Sequence, residues 1–204
     1  MAERLRTVPA WVWLAAIVLG SFALRASLSR HMLAPFIMTD ELTYSELGRS
    51  LAAAGSFGIR DVPTSGYGLL YPVLIAPAYA LFDSLPEAHG AVKAINAVLM
   101  SSAAIPAFFL ALRVLRPGLS LFAALLAVAL PSLAYTGTVM TENAFYPAFL
   151  LVAWALVRML ERPTRAAQLL ALALAGGAVL IRVQAVALLL AVLTAPLLLR
   201  RSLR

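Results

Sequence analysis

Nearly uninterrupted apolar runs, such as WVWLAAIVLGSFAL and LLALALAGGAVL, make up most of this 204-residue chain. Hydrophobic residues account for 63% of the sequence and charged residues for 12%, whereas a soluble domain carries about 25% charged residues. Several runs reach or approach the ~20 residues that cross a bilayer as a helix, and no alternating strand pattern appears. The sequence therefore predicts an all-α integral membrane protein. It has no cysteine, which excludes disulfides and thiolate metal sites.

Basic residues flank the apolar runs in a pattern that predicts their orientation. We expect six spans, over 11–28, 91–115, 118–135, 144–160, 166–181 and 183–199. With the N-terminus in the cytoplasm, the cytoplasmic side holds Arg4, Arg6, Arg113, Arg116, Arg158, Arg162, Arg165, Arg200, Arg201 and Arg204, whereas most acids fall on the outer side. This pattern follows the positive-inside rule and predicts a multi-pass protein of the plasma membrane with both termini in the cytoplasm. The net charge of +7 is then explained by the orientation of the chain in the membrane, and it does not indicate nucleic-acid binding.

Residues 31–90 form a long loop on the predicted outer side. The segment DELTYSELGRSLAAAG predicts a helix, with Thr39 or Asp40 as its N-cap and Gly55 as its end. The stretch LLYPVLIAPAYALF (69–82) is apolar but short and contains two prolines, so we predict a second helix that lies in the membrane interface. In the alternative, this stretch is a further span, which would reverse the orientation of everything after it.

Acidic residues at two places on the outer side are candidates for chemistry. Asp40 and Glu41 begin the first outer helix, where Tyr44 shares a face with Asp40, and Glu142 stands at the start of the fourth span. Ionised groups close to hydrocarbon are costly unless they meet water, a partner or a cavity. One interpretation is a set of solvated helix caps, and the other is a carboxylate that takes a proton from an acceptor hydroxyl. The sequence leaves both open.

Basic residues near the predicted outer face have two interpretations as well. Arg182, Lys93 and Arg25 could each anchor a helix at the interface, or together they could hold a lipid-linked phosphate. The two histidines, His31 and His89, have no spacing that would link them into a metal site.

In these residues the chain resembles the N-terminal part of GT-C-type membrane glycosyltransferases, particularly the branch with protein O-mannosyltransferases and the aminoarabinose lipid A transferase. DELTYSELGRSLAAAGSFGI is similar to the first-loop pattern of that family, an acidic pair, a tyrosine and a short helix that carries an arginine, here Arg49. GYGLLYPVLIAPAYALF resembles its interfacial helix and AVKAINAVLMSSAA its next span. MTENAFYP resembles the second outer loop and LIRVQAV a basic turn between later spans. The likeness runs in order through residues 10–190.

The resemblance implies a glycosyltransferase that takes a sugar from a polyprenyl-phosphate donor on the outer face. The implied catalytic residues are Asp40 as general base, with Glu41 and Glu142 as further acids. The implied substrate-binding residues are Tyr44, Arg49, Tyr67, Lys93 and Arg182, the last two as ligands of the donor phosphate, whose departure they would stabilise. No metal or other cofactor is expected. The implied partners are the bilayer, the donor, and an acceptor that is a protein, a lipid or a glycan.

The chain departs from the family pattern in two respects. Tyr67 and Gly68 stand where members similar to the lipid A enzyme tend to have a lysine, and the chain is shorter than family enzymes usually are. We therefore interpret residues 1–204 as a single membrane module. Three alternatives stay open: a truncated or N-terminal part of a larger architecture that lacks its C-terminal part, a half that works with a partner subunit, or a reduced member without activity. Two other classes stay open: a transporter or flippase of a lipid-linked or anionic substrate, and a non-catalytic assembly subunit.

Overall fold

Helices dominate the computed structural model, which describes residues 8–32, 39–60, 62–64, 66–129 and 134–202. The helices are α1 (Ala10–Ser29), α2 (Thr39–Ala54), α3 (Leu70–Leu81), α4 (Leu85–Ser102), α5 (Ala104–Ala111), α6 (Pro117–Ala129), α7 (Glu142–Glu161), α8 (Arg165–Ile181) and α9 (Val186–Ser202). Short 3₁₀ turns precede α7 and α9, at Ala134–Gly137 and Val183–Ala185. The predicted all-α class is thus confirmed for the described residues.

Three helical segments in the described part of the chain are long and apolar enough to cross a membrane: Ala10–Ser29, Leu85–Ala111 and Glu142–Glu161. The first and third nearly coincide with the predicted spans 11–28 and 144–160, whereas the second overlaps the predicted span 91–115 but begins and ends earlier. The other predicted spans are also helical but shorter: Pro117–Ala129, Arg165–Ile181 and Val183–Leu199. Because an upright crossing needs about 20 residues, the count of six spans and their orientation stay predictions.

The helix that carries the first acidic pair has almost the predicted extent, but Thr39 and Asp40, predicted as alternative N-caps, are its first two helical residues. Asp40 and Glu41 lie in the first turn of α2. Gly55 follows its last residue with φ of +66°, a left-handed conformation that glycine adopts without the steric cost of a Cβ. Its N–H donates to the carbonyl of Leu51 at 3.0 Å, which closes the last turn.

The turn-rich segment between α2 and α3 contains a small antiparallel hairpin that the sequence did not predict. β1 (Gly58–Ile59) pairs with β2 (Val62–Pro63), and Arg60 between them has φ of 50°. Two residues per strand are too few to show the alternation of apolar and polar residues by which a strand is recognised.

α2 and α3 pack side by side and run in the same direction. Tyr44 near the start of α2 contacts Tyr71 at the start of α3, and Gly48 one turn later faces Ile75. A Cβ at Gly48 would lie 3.1 Å from Cγ1 of Ile75, so the glycine allows a close approach of the two helices. The starts of both helices therefore lie at the same end of the pair.

Buried side chains from several elements form the core beneath this helix pair: Tyr44, Leu47, Tyr71, Ile75, Ala78, Val92, Val139, Ala144 and Ile181. This core gathers α2, α3 and α4 together with the start of α7 and the end of α8. A second cluster joins α7, α8 and α9, largely through alanines, and a third joins α1, α5 and α6. The fold thus brings the segments that carry the predicted site residues into contact.

Part of the predicted topology falls outside the described residues. This applies to Arg4, Arg6 and Arg204 among the cytoplasmic arginines, to the outer acid Asp61, and to residues 130–133 of the third predicted span. For Arg200 and Arg201 the structure describes the helix but not the side chains.

Candidate functional site

Asp40, Tyr44, Glu142 and Arg182 form what we call the polar cluster. α2 supplies the first two residues, α7 begins at Glu142, and Arg182 follows the last residue of α8. Nη1 of Arg182 lies 2.5 Å from Oε1 of Glu142, and the charges of Asp40, Glu142 and Arg182 all act on the hydroxyl of Tyr44. The structure therefore brings together two acids that are far apart in the sequence.

Arg182 is held in place by both its backbone and its side chain. Its backbone is extended at the end of α8, where its N–H donates to the carbonyl of Ala178 at 2.9 Å. Its guanidinium carbon lies 6.0 Å from the centre of the Phe145 ring, within range of a cation–π contact. The side chain is 34% exposed, so a planar group with five N–H donors stands fixed but accessible.

Tyr44 is buried at the centre of the polar cluster. Burial raises the pKa of its hydroxyl, and the negative charge of Asp40 raises it further. A hydrogen bond with Thr141 and the positive charge of Arg182 act in the opposite direction, but the net pKa stays above the usual value for tyrosine. Tyr44 is therefore a protonated hydroxyl at neutral pH, able both to donate and to accept a hydrogen bond.

Three tyrosines form an aromatic wall beside the polar cluster. The ring of Tyr44 meets the ring of Tyr67 edge-on at 6.3 Å between centroids, and the ring of Tyr71 edge-on at 5.7 Å. Tyr71 is buried and its hydroxyl donates to Oδ1 of Asn96 at 3.0 Å, whereas Tyr67 is 41% exposed. Edge-to-face pairs of this kind are favourable beyond their buried area, so Tyr67 is held at the surface next to Tyr44.

Gly68 allows the segment before α3 to lie directly against the end of α8. A Cβ at this position would overlap with the carbonyl oxygen of Ile181 and lie 3.2 Å from the backbone nitrogen of Arg182. No side chain fits there without a backbone shift. The sequence departs from the family pattern here, with Tyr67 followed by a glycine. The structure shows that this glycine allows the two backbones to approach closely, which places Tyr67 near the turn at Arg182.

Glu41 points away from the surface. Its side chain is 1% exposed, and its Oε1 accepts a hydrogen bond of 2.9 Å from the backbone N–H of Val139. Asp40, its neighbour in sequence, is exposed. The two adjacent acids that the sequence groups together therefore occupy different environments.

Lys93 is buried in α4, and its ammonium group bonds to the end of α1. Nζ donates to the carbonyl of Ser29 at 2.9 Å and to that of Met32 at 2.7 Å. Lys93 is thus one of the buried polar residues in the described part of the chain. The structure shows no contact between Lys93 and the polar cluster.

Arg49 lies at the opposite end of α2 from the polar cluster. Nine residues separate it from Asp40, which corresponds to about 13 Å along a helix. Its Nη1 pairs with Oε1 of Glu46 at 2.7 Å, and it lines a separate pocket together with Tyr79 and Asp83. The structure therefore does not bring Arg49 to Asp40.

Arg25 has a structural position that the sequence interpretation missed. It is buried within α1, where Nη1 donates to the hydroxyl of Thr136 at 2.8 Å and Nη2 to the carbonyl of Val128 at 2.7 Å. It thus joins α1 both to the end of α6 and to the 3₁₀ turn before α7. An arginine on an otherwise apolar span usually faces the protein interior, and that signal could have identified it.

A metal site was not predicted, and the described residues contain no group of three or more His, Cys, Asp or Glu side chains that could hold an ion. The absence of a cofactor stays a prediction.

A protein-family model matches a large part of the chain. The model of the dolichyl-phosphate-mannose-protein mannosyltransferase family matches residues 67–204, which is more than half of the chain. The chain belongs to this family. The resemblance inferred from the sequence motifs is thereby confirmed, and the protein is a membrane glycosyltransferase of the mannosyltransferase type. Searches among curated proteins and among solved structures found no match.

The segment that matches the mannosyltransferase family contains only part of the polar cluster. Glu142 and Arg182 lie inside the matched residues, as does Tyr67, whereas Asp40 and Tyr44 precede them. The contacts of Tyr44 with Tyr67 and of Glu41 with Val139 join the preceding helix to the matched part. The candidate site is therefore assembled across the boundary of the family match.

Proposed function

We propose that this mannosyltransferase-family protein transfers a sugar from a polyprenyl-phosphate donor to a hydroxyl of an acceptor at the extracytoplasmic face. The family name specifies a dolichyl-phosphate-linked mannose as donor, which supports a lipid-phosphate carrier of this class. The observation that carries the proposal is the polar cluster, in which the exposed carboxylate of Asp40 and the accessible, fixed guanidinium of Arg182 both act on the hydroxyl of Tyr44. The acceptor class, whether protein, lipid or glycan, is left open by these residues.

Asp40 is the general base in this proposal. The acceptor oxygen attacks the anomeric carbon of the sugar, and Asp40 takes the hydroxyl proton as the new bond forms. The bond between the sugar and the phosphate breaks, and its electron pair leaves with the phosphate. Asp40 suits this role because it is exposed, whereas the adjacent Glu41 is buried.

Arg182 stabilises the departing phosphate. Guanidinium groups bind phosphate oxygens through two parallel hydrogen bonds, and one of the donors of Arg182 already bonds to Glu142. Glu142 thus orients the guanidinium while other donors stay available for the phosphate. Lys93 suits this role less well, because its ammonium group is bonded to two backbone carbonyls and the residue as a whole is buried.

The membrane arrangement belongs to the same proposal. The distribution of arginines supports a multi-pass protein of the plasma membrane with cytoplasmic termini. In that arrangement the polar cluster faces the extracytoplasmic side, and α3 lies in the interface beside it. The donor phosphate, which sits at the headgroup level, would then be at the height of Arg182.

The test is transfer of radiolabelled mannose from a polyprenyl-phosphate donor by the purified chain in lipid nanodiscs. Asp40→Asn should lower the rate of transfer on the order of 10² to 10⁴-fold, as loss of a general base does. Asp83→Asn is the matched control, because Asp83 is also an exposed acid but lies at the far end of α3. Equal rates for the parent and Asp40→Asn, or an equal loss in the control, would contradict the assignment.

A further inference from the structure

Two adjacent acids of α2 face in different directions. Successive residues of an α-helix are about 100° apart around its axis, and here Asp40 is exposed while Glu41 is 1% exposed. A carboxylate buried to this extent does not reach a substrate that binds at the surface. Its function must come from what it contacts inside the protein.

Glu41 contacts the backbone of the segment that leads to Glu142. Its Oε1 accepts a hydrogen bond of 2.9 Å from the N–H of Val139, and both residues are buried. Val139 precedes Glu142 by three residues. The bond therefore joins the helix that carries Asp40 to the segment that carries the second acid of the polar cluster.

Other buried side chains fix the rest of that segment. The amide of Asn96 donates to the carbonyl of Thr138 at 2.9 Å, and Arg25 donates to the hydroxyl of Thr136. The amide of Asn143 donates to the carbonyls of Thr138 and Met140 at 3.0 and 3.1 Å. With the segment held from α1, α4 and α7, the bond from Glu41 sets where α2 lies relative to it.

We propose that Glu41 is a positioning residue that fixes the separation of Asp40 and Glu142, and that it takes no part in proton transfer. This inference rests on the proposed function and deepens it, because it divides the acidic pair into a base and a buried support. A displacement of about 1 Å between reacting groups costs up to about a hundredfold in rate. A hydrogen bond to a carboxylate is also stronger than one between neutral groups.

The first test compares two substitutions of Glu41 in the mannose-transfer assay. Glu41→Gln retains an oxygen acceptor for Val139, so kcat should stay within about fivefold of the parent and its pH profile should be unchanged. Glu41→Ala removes the acceptor and should lower kcat by about tenfold to a hundredfold. Glu46→Gln is the control, since Glu46 is an acid on the same helix whose partner is the exposed Arg49.

Two outcomes of this assay would overturn the proposal. One is a Glu41→Gln variant that loses activity as completely as Asp40→Asn while its thermal midpoint matches that of the parent, since the charge itself would then be needed. The other is a Glu41→Ala variant with the kcat of the parent. Recovery of the parental rate and pH profile in Glu41→Gln, but not in Glu41→Ala, is the expected result.

A second measurement does not depend on activity, so it separates this inference from the proposed function. The parent contains no cysteine, so spin labels can be attached selectively through Thr39→Cys on α2 and Tyr135→Cys in the segment before α7, both exposed positions. The distance distribution should be the same in the parent and Glu41→Gln backgrounds and should broaden with Glu41→Ala. Identical distributions in all three backgrounds would overturn the positioning role even if no sugar transfer is detected.

Discussion

Gly68→Ala should displace the segment before α3 from the end of α8. The new Cβ would lie 2.5 Å from the carbonyl carbon of Ile181, whereas ordinary contacts begin at 3.4 Å. The carbonyl oxygen of Ile181 lies closer still, so one of the two backbones must move by more than 0.9 Å, the shortfall at the carbon alone. The obstructing atoms belong to the main chain, so no side-chain rotation can relieve the overlap.

This displacement should affect both stability and transfer. Overpacking of this kind typically destabilises by about 1–3 kcal/mol, and a shift near 1 Å at Arg182 should lower kcat by up to about a hundredfold. The measurements are the thermal midpoint in detergent and the kcat for mannose transfer. Because Gly68 has no φ in the left-handed region, the effect would arise from contact and not from backbone conformation.

Gly90→Ala is the matched control for this substitution. A Cβ at Gly90 meets no atom within 4 Å, and alanine is favoured over glycine inside a helix by about 1 kcal/mol. The control should therefore keep the parental kcat with an equal or higher midpoint. If Gly68→Ala also keeps the parental kcat and midpoint, the close approach at Ile181 does not position Arg182 and the reasoning fails.

Two further predictions concern buried polar groups. Arg25→Lys should lower the free energy of unfolding by roughly 1–3 kcal/mol, because lysine lacks the two forked donors that reach Thr136 and Val128 at once. The thermal midpoint should fall accordingly, whereas the control Arg30→Lys, at an exposed position, should leave it unchanged. Tyr44 has a raised pKa in the folded state. Its contribution to the free energy of unfolding is therefore fully present below the unfolded pKa of about 10, and it is lost as the pH rises through the folded pKa. The midpoint of Tyr44→Phe should consequently fall less between pH 8 and pH 11 than that of the parent, and an equal fall would contradict the assignment.

Local sequence signals predicted the helices of the candidate site well. The extent of α2 follows from its acidic first turn and from Gly55, whose left-handed conformation ends the helix. The short helix over 69–82 is present as Leu70–Leu81. These features depend on interactions within a few residues, which the sequence displays directly.

The environments of individual side chains could not be predicted in the same way. Glu41 and Lys93 look like surface charges in the sequence, but their partners are backbone groups far along the chain. Nearly every residue has the same main-chain N–H and carbonyl groups, so the amino-acid type of a residue does not show that its backbone bonds to a distant side chain. Spacing could indicate which residues share a helix face, but not which face the core covers.

The starts of three helices converge at the polar cluster. α2 carries Asp40 and Glu41 in its first turn, α7 begins with Glu142, and the first turn of α3 lies against Tyr44. The aligned peptide dipoles give each helix a partial positive charge at its amino end, which stabilises a nearby carboxylate by about 0.3–1 kcal/mol. The helix backbones therefore offset part of the repulsion among the acids of the polar cluster. Arg182, which pairs with Glu142, offsets a further part. A strongly apolar chain can in this way hold several carboxylates close together. Because the effect falls off within one turn, an acid moved from position 40 to position 44 would lose most of it.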